Sequence, residues 1–298
     1  MPLRPASAPH RPVAEPRPRR PVGAGILLAA LTLLAACATP PRPLEPAESA
    51  RLAALLPTDL LLLGEQHDAP AHQQLERQVV DWLAARGELA AVALEMAAQG
   101  HATTGLPRQA SEAEVRAALD WQDAAWPWAS YGPVVMAAVR AGVPVLGANL
   151  PRPGIRAAMA DGSLEARLPP AALAEQHTRI REGHCNALPE SQIGLMTRVQ
   201  IARDLSMAQT LAKARDSGRV VLLVTGNGHV HRQLGVPWHL PADLKVKVLS
   251  AGADTSKAAT KTEASTALSE AGLARGDQLW PTPPAPARDH CAAFRAKP

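Results

Sequence analysis

The chain has 298 residues, with 31 Lys and Arg against 27 Asp and Glu, for a formal net charge of +4. Arg4, Arg11, Arg17, Arg19 and Arg20 against Glu15 account for that excess, so the rest of the chain is close to neutral. No Lys/Arg stripe is visible, which excludes the electrostatic footprint of a nucleic-acid partner.

Residues 1–21 are rich in Pro and Arg, and small or apolar residues run from Val22 to Ala36. This is a basic n-region and an h-region of secretory length. It falls short of the ~20 apolar residues that a membrane span needs. The run ends Leu34-Ala35-Ala36-Cys37, the spacing of a lipobox. Small side chains there let a peptidase approach the backbone, and the Cys37 thiolate is the atom to be alkylated. The sequence therefore predicts a signal over 1–36, a lipidated Cys37 with a Pro/Ala/Glu-rich tether over 37–50, and one domain over 51–298. Ala38 after the cysteine points to the periplasmic face of the outer membrane. No second long apolar run follows.

From there short apolar runs alternate with helical periodicity. Leu60 to Leu63 reads as a buried strand closed by Gly64. Pro70 opens a helix with Leu75, Val79 and Leu83 on one face, closed by Gly87. Ala90 to Leu94 reads as a second strand ending at Glu95. Ser111 and Glu114 form a capping box. Val143 to Leu146 is a third strand, and helices follow over 170–183 and 191–216. Arg219 to Thr225 is a fourth strand. Leu244 to Leu249 is a fifth, whose alternation suggests an edge or half-buried position. Residues 253–276 read as a polar surface excursion and 281–286 as a Pro-rich tail. This alternation predicts an α/β fold with a central, largely parallel sheet flanked by helices.

In such sheets, sites gather beyond the carboxyl ends of the strands. The first strand exits as Gly64-Glu65-Gln66-His67, the second at Glu95, and the fourth as Gly226-Asn227-Gly228-His229. His72 and His231 lie close behind the two Gly-x-x-His units. Imidazoles and carboxylates converging there suit either general acid/base work or a divalent metal held by His67, Glu65 and His229. The alternative is that these histidines cap strand-to-helix turns. No Gly-x-Ser-x-Gly elbow and no Walker loop occur. Cys185 and Cys291 remain after Cys37. In an oxidising compartment two such cysteines are paired more often than free.

The residues Leu62-Leu63-Gly64-Glu65-Gln66-His67-Asp68, Leu94-Glu95-Met96, Ala148 to Arg152, Gly183-His184-Cys185, Gln200 to Ala208, Gly226 to Val230 and Asp289 to Phe294 resemble, in order, the ChaN-like lipoproteins of the Tiki superfamily. That resemblance implies haem binding linked to iron uptake, a homodimer with haem at its interface, and a tyrosine as iron ligand. Tyr131 is the one tyrosine here, with Trp121, Trp126 and Trp128 near it. Those four aromatics either wall a porphyrin or pack as core. The resemblance also places both cysteines inside family-like motifs, favouring the Cys185–Cys291 bridge. Members of the wider superfamily are metal-dependent peptidases and esterase-like hydrolases that share the paired Gly-x-x-His units. Glu65, His67, Glu95 and His229 would be the catalytic set in a hydrolase. Tyr131, His72 and His231 are the haem-binding candidates in a haem protein.

Overall fold

The computed structural model describes residues 42–253, 272–285 and 287–292. The expected signal, Cys37, most of the 253–276 excursion and Phe294 lie outside the described residues. The described chain enters through α1 (Pro46–Ala53), whose Glu45 and Glu48 form a capping box. The helix therefore begins inside the stretch expected to be tether.

In chain order there follow β1 (Leu60–Glu65), α2 (Pro70–Ala85), β2 (Leu89–Ala98), α3 (Glu112–Ala118), α4 (Trp128–Ala141), β3 (Val145–Asn149), α5 (Arg152–Ala160), α6 (Pro170–Gly183), α7 (Glu190–Ala214), β4 (Val220–Gly226), β5 (Val246–Ala253) and β6 (Gln278–Thr282). The six strands form one sheet in the order β3-β2-β4-β1-β5-β6. Every pairing is parallel.

The four leucines of β1 show why such strands carry no polar alternation. Leu61 and Leu63 point into a layer with Leu75, Val79 and Leu83 of α2 and Val134, Val135 and Ala138 of α4. Leu60 and Leu62 point to the other face, against Met207, Ala208 and Leu211 of α7. A strand covered on both faces must be apolar at every position. Local signals set the helix ends. Pro70 sits in the first turn of α2, where its missing N–H leaves nothing unsatisfied. Gly87, at φ 69°, takes the left-handed conformation just past the end of α2. Ser111 Oγ accepts from the Glu114 N–H at 3.3 Å while Glu114 Oε2 accepts from the Ser111 N–H at 2.7 Å, as the capping box predicts.

Two expectations are corrected. β5 is not an edge, because β6 pairs alongside it and takes the edge itself. Part of the stretch read as a Pro-rich tail is therefore strand. Pro281 is tolerated there because an edge strand has a side on which no N–H is needed. Helices α4 and α5 were not anticipated either. α4 is mostly Ala, Val and Trp, packed across the end of α2, and its Pro133 breaks the usual helix signature.

The bridge is present. Cys185, in the left-handed turn between α6 and α7, is bonded to Cys291 with Cα atoms 5.6 Å apart. Non-reducing peptide mapping of oxidised protein should recover Cys185 joined to Cys291. Cys291→Ser should lower unfolding free energy by about 2–4 kcal/mol, read from the denaturant midpoint. Two freely alkylated thiols in the oxidised protein would remove the bridge.

Candidate functional site

The sheet order builds the site. β4 is inserted between β2 and β1, so Gly226 lies opposite Glu65 in register. The turn after Gly226 sets His229 between Glu95 and Asp204. A cleft of about 770 Å³ opens above these strand ends. Glu65, His67, Glu95, Gln200, Arg203 and His229 are among its lining residues. The four residues expected at strand exits are thus brought together at one end of the sheet.

They form one chain of contacts. Tyr131 donates its hydroxyl to Glu65 Oε1 at 2.7 Å. His67 Nδ1 lies 2.8 Å from the same oxygen. His67 Nε2 is 3.8 Å from Glu95 Oε2. His229 Nε2 is 3.4 Å from Glu95 Oε1, and its Nδ1 is 2.5 Å from Asp204 Oδ1. Glu95 Oε2 also accepts from the Thr225 hydroxyl at 2.7 Å and the Gly226 N–H at 2.8 Å.

Charge follows from this geometry. Burial opposes ionisation of Glu95, but His229, His67 and the Gly226 N–H outweigh it and hold the carboxyl well below the usual range. Burial likewise opposes charge on His229, and the carboxylates of Glu95 and Asp204 raise its pKa to about 10. Burial pushes Asp204 up to about 6 despite its imidazolium partner. For His67, burial is outweighed by the Glu65 hydrogen bond and the Glu95 charge, so its pKa is raised. The Glu65–His67 and Asp204–His229 units thus flank Glu95 as two carboxylate–imidazole pairs.

Several groups in this arrangement were not singled out from the sequence. Asp204 and Gln200 come from α7, and Gln200 Nε2 lies 3.1 Å from His229 Nδ1. Both stand in the Gln-x-x-Arg-Asp stretch. A polar pair at helical spacing facing an apolar sheet was the signal available there. Glu76 of α2 is fully buried, next to Leu75 on the core face. Burial, then the neighbouring Glu65 charge, pushes its carboxyl well above the usual range. Among the described residues, Glu65 Oε2 and both Glu76 oxygens lack a hydrogen-bond donor. A proton on Glu76 satisfies that pair.

The other candidates lie elsewhere. His72 is buried under the β1 exit: its Nδ1 accepts from the Gln66 N–H at 2.8 Å and its Nε2 lies 2.9 Å from Thr282 Oγ1. The Thr282 hydroxyl donates to Gly252 O, so His72 must donate from Nε2. Both of its nitrogens are committed to joining β1 to β6. His231 is buried outside the cleft lining, 3.6 Å from Glu175 and against Gly272. Burial lowers the pKa of both histidines. The turn-capping alternative describes these two. Among the described residues no group of three His, Cys, Asp or Glu side chains is arranged to hold a metal ion. The expected triad of Glu65, His67 and His229 is not among such groups.

Tyr131 is 1 % exposed. Burial and the Glu65 charge drive its phenol far above the ordinary value, away from the phenolate that binds iron. Trp121 and Trp128 pack in the core with it. Of these tryptophans, Trp126 packs edge-on against His67, with ring centroids 4.9 Å apart. His67 suits an iron better. Its side chain is 39 % exposed and its Nδ1 is fixed on Glu65. A metal-binding imidazole characteristically gives its second nitrogen to such a carboxylate. Nε2 faces the space left by Gly226, where a Cβ would come within 2.9 Å.

The raised His229 pKa has a sign that can be checked. Its stabilisation is complete below the unfolded value of 6.5 and is lost as pH rises through about 10. Wild-type stability should fall across that window, and His229→Gln should be nearly flat there. Equal slopes in urea titrations of the two proteins would show that His229 is not held as an imidazolium.

Comparison with known proteins agrees with this architecture. Residues 51–240 match the family described as haem-binding uptake, Tiki superfamily, ChaN. A search of curated proteins finds no match. Among solved structures, the chain is similar to one titled cofacial heme binding to ChaN of Campylobacter jejuni. The identity is 24 % over 69 % of this chain and 85 % of that one, with a TM-score of 0.56. The type III effector HopBA1 is matched at 16 % identity over 72 % of this chain and 88 % of that one, with a TM-score of 0.36. The fold is that of the first structure, and the chain belongs to the haem-binding uptake ChaN family of the Tiki superfamily.

Proposed function

We propose that this protein is an envelope lipoprotein, anchored through Cys37 at the periplasmic face of the outer membrane, that binds haem in the cleft above β1, β4 and β2 as part of haem or iron uptake. The observation carrying this reading is the Glu65–His67 pair at the open side of a cleft of about 770 Å³, within a chain of the haem-binding family. Bound haem would supply a Lewis-acidic iron, and His67 is the residue that would hold it. Glu65 orients the ring. Tyr131 holds Glu65, acting through hydrogen bonding rather than by touching iron. Because Nε2 must be unprotonated to bind, the raised pKa of His67 makes affinity rise with pH. A cleft covers one porphyrin face best, so a second copy of the chain would cover the other, and haem should promote a homodimer by linkage.

A hydrolytic reading is favoured by a different observation, the buried Asp204–His229–Glu95 relay, which can hold and pass a proton. The two readings depend on different residues. Haemin added to the full-length protein should give a saturable Soret band. His67→Ala should abolish or shift that band, and Tyr131→Phe should leave it in place. A band untouched by His67→Ala would put haem elsewhere. No band, together with peptide or ester cleavage lost in His229→Ala, would move the protein to the hydrolase reading. Anchoring is tested separately. Cys37→Ala should lose incorporation of labelled palmitate, and equal labelling of wild type and variant would refute the anchor.

A further inference from the structure

We propose that Arg203 is a carboxylate-binding residue of the cleft, the anchor for a propionate of the bound porphyrin; this deepens the haem reading and rests on it. Arg203 lies on α7, one turn beyond Gln200, and both side chains line the cleft. Among the described residues its buried Nε has no hydrogen-bond partner and its guanidinium joins no ion pair. Other arginines nearby are satisfied. Arg198, on the same helix, donates to Gly194 O at 3.2 Å and lies 3.5 Å from Glu165. Arg179 pairs with Glu175 at 2.8 Å.

The acids around Arg203 are already engaged. Asp204, its neighbour in sequence, faces His229 at 2.5 Å. Glu95 is held by Thr225, Gly226 and His229. Glu65 receives Tyr131 and His67. A guanidinium stays charged at every working pH and presents planar paired donors. A buried N–H without an acceptor is a cost that folded chains rarely carry without a role. A ligand carboxylate is the acceptor whose geometry matches that fork. The cleft leaves room for it.

The full-length protein should be titrated with haemin and with haemin dimethyl ester, which keeps the iron and the ring but blocks both carboxylates. Wild type should bind haemin about tenfold or more tightly than the ester, as one charge-assisted pair provides. Arg203→Met should bind both with the affinity that wild type shows for the ester, and Arg203→Lys should fall between. An Arg203→Met protein that keeps the preference overturns the proposal. Without ligand, Arg203→Met should melt no lower than wild type, because among the described residues the arginine has no hydrogen-bond or ion-pair partner to lose; a marked loss of Tm would show instead a structural role. If wild type binds neither porphyrin, the haem reading fails, and succinate decides the inference by itself. Succinate should raise the Tm of wild type and not of Arg203→Met, whereas an equal response in the two, including none, overturns it.

Discussion

The structure depends on one buried carboxylate, that of Glu95. It stands at the carboxyl end of the sheet with almost no exposure, and it is stable there because three directions supply donors. The Thr225 hydroxyl and Gly226 N–H reach it from β4, and His229 and His67 face it from the two strand exits. A lone charge at that depth would lose its hydration without compensation. Here the compensation is built from residues on three separate segments. Their positions are therefore tied to one another: moving any exit loop leaves a charge unpaired.

That arrangement is a product of topology. Had β4 been added at an edge, its exit would lie away from Glu65 and Glu95. Inserted between β2 and β1, it brings two Gly-x-x-His turns side by side. Gly64 shows how close the approach is, since a side chain there would run into Asn227 and Val230. The glycine is needed for contact between the two turns as well as for the bend.

This also explains what could be read from the sequence. Apolar runs such as Leu60–Leu63 and Val220–Val224 announce themselves, and polar residues at their ends mark the site. Glu65, His67, Glu95 and His229 were legible on that ground. Asp204 and Glu76 were not, because each sits on a helix and its contact is made across the fold. β6 was hidden by Pro281 and the prolines just after it, which local rules assign to a tail; only the edge position permits Pro281 within the strand. α4 was hidden by Pro133 and by β-branched residues whose helical state is set by packing. The aromatic cluster around the single tyrosine is ambiguous for a related reason. An aromatic cluster has the same composition whether it walls a ligand or fills a core; Tyr131 is buried with Trp121 and Trp128, which the sequence does not show.

The bond between Cys185 and Cys291 gives the cleft an order of assembly. His290, adjacent to the bridge, stands on the rim 3.3 Å from Asp68, while Cys185 belongs to the turn between α6 and α7. The two cysteines are 106 residues apart. The rim cannot be closed until Cys291, that far beyond Cys185, has been made. It is then closed by oxidation, a chemistry distinct from the apolar burial that holds the sheet. The floor of the cleft is thus specified by strands β1, β2 and β4, all of which precede Cys291, and its border is secured by the bridge.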